Sequence, residues 1–221
     1  MDTKFQYQGG SAPGYLALPP GGAGHAVLVC HAWWGLNAFF KSLCDRLAGA
    51  GFVAFAPDLY AGEAAATIEG AQALKQSLDR SVVNKQLKGA VRYLTGQDAA
   101  AGDRIGVLGC SLGAHYAYWL SDNCPADVAA VVAFYGVGAG TFSRTRASYL
   151  GHYAEKDDWG AGPAKVSKLR DKLVGQGCEV TFHTYPGTRH WFFESDVSDA
   201  YQPEAAALAW DRTLTFLRER L

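Results

Sequence analysis

The chain has 221 residues, 49% hydrophobic and 19% charged, with a formal net charge of −1. That length supports one sizeable core and a single soluble domain over 1–221, and the composition excludes disordered and fibrous classes. The charge offers no basic field for nucleic acid or an anionic membrane, and Met1-Asp2-Thr3-Lys4-Phe5 lacks the charged and then apolar start of a signal peptide.

In chain order, Phe5–Tyr7 and Gly14–Leu18, parted by glycine, read as an opening hairpin. Apolar, β-rich runs follow at His25–Cys30, Phe52–Ala56, Arg104–Leu108, Val128–Phe134, Ala147–Tyr153 and Glu179–Tyr185. Helical patterns lie between them at Phe39–Ala50, Ile68–Leu78, Val82–Leu94, Leu112–Leu120 and Ala164–Val174. A last helix starts after Pro203, where Ala207, Trp210, Leu214, Leu217 and Leu221 make one apolar stripe. Near-continuous apolar strands alternating with helices predict an α/β fold, a mostly parallel sheet with helices on both faces and an N-terminal hairpin. Val128–Tyr135 is too short to span a bilayer. Ala61–Thr67 and Gly136–Thr145 are expected to border a pocket or move. The five cysteines are scattered, with no metal-ligand spacing, and predict reduced thiols in the cytoplasm and no metal site.

The most informative run is Gly109-Cys110-Ser111-Leu112-Gly113, a G-x-S-x-G between a strand and a helix. That context makes it a nucleophile elbow, a strained turn that exposes its central side chain. Small residues two before and two after are required because the two backbones pass closely, and Gly109 and Gly113 meet that need for Ser111. Cys110 has Leu108 and Leu112 in those places and reads as a buried neighbour.

A serine hydroxyl needs a base to take its proton and an acid to orient the base. On such a sheet the chain order is nucleophile, acid, base. His25 and His31 precede the serine, His115 is inside its helix, and His152 and His183 fall on strands, which leaves His190 in the loop after the last strand. The acid belongs just past Ala147–Tyr153, where Asp157 and Asp158 fit and Glu155 is a weaker option. Backbone N–H groups must stabilise the oxyanion. Leu112 at the helix start is one. The loop after His25–Cys30 supplies the other, with Trp33 preferred over Ala32 and His31 read as structural.

At these residues the chain resembles the dienelactone hydrolase family of α/β-hydrolases. The resemblance runs through His31-Ala32-Trp33-Trp34-Gly35-Leu36-Asn37, Ala56-Pro57-Asp58-Leu59-Tyr60, the elbow, Phe134-Tyr135-Gly136, Ala154-Glu155-Lys156-Asp157, Tyr185-Pro186-Gly187-Thr188-Arg189-His190 and the terminal helix. It implies one α/β-hydrolase domain, no cofactor, hydrolysis of a small-molecule ester or lactone, and Asp157 as the acid. Three positions depart from it. Ser111 stands where dienelactone-opening members have cysteine, Ala32 where they have a glutamate, and Glu194 where an arginine helps bind the substrate carboxylate. The last departure predicts a preference for neutral substrates, unless Lys75, Arg80, Lys85 or Arg189 supplies a cation instead.

The expected pocket is aromatic, drawn from Trp33, Trp34, Tyr60, Tyr135, Trp159, Trp191 and Phe192, about half of them lining it, with Trp34, Tyr135, Trp159, Trp191 and Glu194 assigned to substrate. The predicted function is a serine esterase or lactonase working through an acyl-enzyme, as a monomer or weak homodimer. A peptidase or carbon–carbon bond hydrolase on the same fold is the alternative, since fold does not set chemistry. A non-catalytic binding protein that kept the elbow is a third class, separable by covalent labelling with a fluorophosphonate.

Overall fold

A computed structural model describes residues 1–221. The chain divides into two compact units, Met1–Ile105 and Gly106–Leu221.

In the first unit, β1 (Asp2–Tyr7) and β2 (Gly10–Ala17) form the expected hairpin, in antiparallel register from Asp2 opposite Tyr15 to Tyr7 opposite Gly10. Gly9 and Gly10 take φ values of +123° and +154° at the turn, a backbone that L side chains rarely adopt. β2 pairs antiparallel with β4 (Val53–Pro57), which pairs parallel with β3 (Gly24–Cys30), so the strand order is β1-β2-β4-β3. Helix α1 (Ala38–Gly49) is capped by Asn37, whose side chain accepts from the Phe40 N–H at 3.2 Å, and it buries Phe40, Leu43, Cys44 and Leu47. Thr67 and Asp79 cap α2 (Ile68–Ser77) and α3 (Arg80–Thr95) in the same way.

Strand β5 (Ala100–Cys110) ends in the second unit, whose strand order is β5-β6-β7-β8, with β6 (Val128–Phe134), β7 (Ser148–Lys156) and β8 (Val180–Arg189) all parallel. β6 is buried at every position, as its unbroken apolar sequence requires. The helices are α4 (Leu112–Asn123), α5 (Pro163–Gly175) and α6 (Pro203–Arg220), and no helix is long and apolar enough to cross a membrane.

Three expectations change. β7 and β8 run to Lys156 and Arg189, past their predicted ends at Tyr153 and Tyr185, so Asp157 and His190 each follow a strand directly. The buried face of α6 is Ala206, Ala209, Thr213, Phe216 and Leu217, about one position from the predicted stripe. Small residues at 206 and 209 allow close approach to the sheet, and Thr213 is satisfied there by the Ala209 carbonyl at 2.8 Å and His152 Nε2 at 3.1 Å. The Gly136–Thr145 loop is tied down rather than loose: Asp122 accepts from the Phe142 and Arg144 N–H groups at 3.2 and 3.1 Å, and the Phe142 ring is buried.

Candidate active site

The elbow is built as its glycines require. Ser111 sits between β5 and α4 at φ +52° and ψ −110°. A Cβ on Gly109 would fall 2.2 Å from the Gly113 carbonyl oxygen, and one on Gly136 would fall 2.5 Å from the Ser111 carbonyl oxygen. The Ser111 N–H donates to the Phe134 carbonyl at 2.9 Å, fixing the turn to the end of β6. Leu112 opens α4, so its N–H has no acceptor within the helix. Cys110 is fully buried.

His190 Nε2 lies 2.9 Å from Ser111 Oγ, and His190 Nδ1 lies 2.8 Å from Asp157 Oδ2. A carboxylate only accepts, so Nδ1 carries the proton and Nε2 is left bare to accept from the serine hydroxyl. The other oxygen of Asp157, Oδ1, accepts from the backbone N–H groups of Trp159, Gly160 and Ala161 at 2.9, 3.1 and 3.3 Å. Burial pushes the Asp157 carboxyl up, but the His190 hydrogen bond and charge and these amides outweigh it and hold it below its ordinary value.

Of the acidic candidates, Asp157 alone reaches His190. Asp158 is exposed, and Glu155 accepts from the Gly187 N–H at 3.0 Å, which ties the end of β7 to the last residues of β8 before His190. Of the histidines, only His190 reaches Ser111. His31 is buried, its Nε2 accepting from the Leu59 N–H at 3.2 Å, so its Nδ1 donates to the Ala32 carbonyl at 2.7 Å. His152 is bonded to Tyr185 and Thr213.

Aromatic rings frame His190. Tyr135 and Trp191 pack at centroid distances of 4.9 and 4.8 Å from the imidazole, and Trp159 lies tilted against Trp191 at 4.9 Å. Trp159 is the one exposed ring of the seven candidates, at 44%, while Tyr135 and Phe192 are fully buried. Trp33 and Trp34 pack edge to face at 5.3 Å in the first unit, in a loop where the Gly35 N–H donates to the Ala32 carbonyl. The cleft of about 440 Å³ in the second unit, between α5 and β8, is lined by Tyr153, Val166, Arg170 and Phe182 and holds none of the candidate residues.

Glu194 corrects the sequence expectation. It is fully buried, Tyr135 donates its phenol hydrogen to Oε1 at 2.8 Å, and burial pushes the carboxyl up to about 8. At neutral pH it is mostly uncharged, so it does not set the negative field at the cleft expected of an anion near the base. Nothing in the local sequence around position 194 signals this burial; the partner, Tyr135, is 59 residues away. The sequence pattern also gives no sign of the three amides that hold Asp157, although Gly160, at φ +132°, lets the chain fold back on it.

A model of the dienelactone hydrolase family matches residues 12–221. The chain belongs to the dienelactone hydrolase family. It is thus a hydrolase of the α/β-hydrolase superfamily. It is similar to protein usf of Aquifex pyrophilus, with 31% identity over 228 residues, covering 99% of this chain and 98% of the relative. It is 32% identical over 230 residues to a probable 2-oxo-3-(5-oxofuran-2-ylidene)propanoate lactonase of Bradyrhizobium, covering 96% and 91%. A dienelactone hydrolase-like promiscuous phosphotriesterase from metagenomic libraries matches in fold with a TM-score of 0.88, at 20% identity over 100% of this chain and 98% of that one.

Proposed function

We propose that this dienelactone hydrolase family member is a serine hydrolase that cleaves a small carboxylic ester or lactone through an acyl-enzyme. The observation that carries the reading is the unbroken line from Ser111 Oγ through the His190 ring to Asp157, at 2.9 and 2.8 Å. Ser111 Oγ attacks the carbonyl carbon while its proton passes to His190 Nε2, and Asp157 stabilises the imidazolium. The oxyanion is met by the Leu112 N–H at the start of α4. Collapse expels the alkoxide, which takes the proton from His190; in a lactone that alcohol stays tethered to the acyl group. His190 then takes a proton from water, hydroxide attacks the acyl carbon, and Ser111 leaves with its proton restored.

Family membership and the lactonase among the relatives support an ester or lactone substrate. The match over residues 12–221 supports one α/β-hydrolase domain. The five cysteines stand as thiols, which supports a reducing compartment such as the cytoplasm.

The test pairs fluorophosphonate labelling with a substrate panel of neutral aryl esters, neutral lactones and carboxylate-bearing lactones. Mass spectrometry should find a single phosphonyl adduct on Ser111, and labelling should abolish hydrolysis. Hydrolysis that persists in fully labelled protein sinks the mechanism.

A further inference from the structure

Around the His190 base the backbone is strained on two sides. Tyr135 takes φ +36° and Trp191 takes φ +69°, a region where a bulky side chain is a genuine outlier. Such residues persist only where their surroundings over-determine them, and they gather at functional sites. Tyr135 is held at three points. Its N–H donates to the His152 carbonyl at 2.8 Å, its ring packs 4.9 Å from the His190 ring and 5.5 Å from Phe192, and its phenol donates to Glu194. Glu194 also grips the other strained residue, because its N–H donates to the Trp191 carbonyl at 2.9 Å. One buried residue therefore holds both neighbours of the base.

We propose that Glu194 is a positioning residue for His190, acting through Tyr135. The inference rests on the reading of His190 as general base. Glu194 does this as an uncharged acid. It is fully buried, and its Oε2 has no hydrogen-bond partner. The groups that face it are the Tyr135 phenol from the end of β6, the Cys110 thiol at the end of β5 across that phenol, His190 across the Tyr135 ring, and Asp196 on its own segment. No lysine or arginine is among them. Burial raises the carboxyl most, the Tyr135 bond lowers it, and Asp196 raises it again, to about 8. Ionising it would leave a buried charge with one hydrogen bond, which is costly enough to draw in water or shift Tyr135. Either response loosens the ring on which His190 rests, so turnover is lost as pH rises through about 8.

The experiment measures kcat and KM for a neutral aryl ester from about pH 6 to about pH 10 in the parent, Glu194→Gln and Tyr135→Phe, with circular dichroism at each pH. The parent should lose about tenfold in kcat between about pH 7 and about pH 9, as a single group near 8 requires, with KM steady. Gln keeps the acceptor oxygen and cannot ionise, so that limb should flatten. Tyr135→Phe removes the bond that lowers the Glu194 carboxyl, so kcat should fall and the limb should move to higher pH. A Glu194→Gln variant that keeps the parent's tenfold fall overturns the proposal, as does Tyr135→Phe with an unmoved limb. The rate of Ser111 phosphonylation in the parent must fall over the same range. A flat rate overturns the proposal even where both variants misfold. A parent that is never phosphonylated at Ser111 instead overturns the serine-hydrolase reading itself.

Discussion

A Cβ on Gly109 would lie 2.2 Å from the carbonyl oxygen of Gly113, so the end of β5 and the start of α4 touch backbone to backbone. That contact fixes which residue of the elbow is presented. Gly109→Ala must push the strand and helix apart and should cost about 1–3 kcal/mol or more, with activity falling alongside. Gly136→Ala should act the same way, since its Cβ would meet the Ser111 carbonyl at 2.5 Å. Gly175, the last residue of α5 with nothing within 4 Å, is the control. Gly175→Ala should be neutral or gain up to about 0.5 kcal/mol, since the helix-propensity difference is reduced at a helix end. Thermal denaturation of the three variants checks the order.

Ser111 and Cys110 are neighbours with opposite surroundings. Ser111 is half-buried and bonded to His190, whereas Cys110 is fully buried. Ser111→Ala should lower kcat on the order of 10⁴-fold or more. Cys110→Ala should still take up fluorophosphonate at Ser111. Loss of labelling in Cys110→Ala with retention of activity in Ser111→Ala would reverse the assignment.

Asp157→Asn should lower kcat by roughly 10⁴-fold, because the imidazole loses the anion that selects its tautomer. Asp158→Asn, at an exposed position, should stay within about twofold of the parent. The held-down Asp157 carboxyl also predicts a stability trend. A depressed carboxyl contributes stability that is present above its unfolded value, 3.8, and is lost as pH falls through the lowered folded value. The gap in Tm between parent and Asp157→Asn should therefore be widest near neutral pH and narrow below about pH 4. A gap that widens in acid contradicts the sign.

Glu194→Arg tests burial against sequence position. A cation at a surface cleft would improve hydrolysis of a carboxylate-bearing lactone. At a fully buried site beside Tyr135 it should instead cost about 3–5 kcal/mol as an unpaired charge. The expected result is a lower denaturant midpoint and no gain toward the anionic lactone. A folded variant with enhanced anionic-lactone turnover would return position 194 to the cleft.

The sequence alone determined the α/β alternation and the hairpin, and it singled out Ser111 at an elbow and His190 among six histidines as the candidates. These rest on local periodicity, on glycine spacing and on chain order, which are written in short windows. The tertiary structure decided what depends on contacts between distant residues. His190 meets Ser111 across 79 positions and Asp157 across 33, and a loop closed by three amides aims Asp157 rather than Asp158. Period alone fixed α6 as a helix but placed its inner face one residue off, because Ala206, Ala209 and Thr213 gain from close approach rather than from bulk. Glu194 is the clearest case. The family resemblance places an anion at the cleft here, yet whether a carboxyl carries charge is set by the water and partners around it, and burial against Tyr135 supplies one hydrogen bond and no cation.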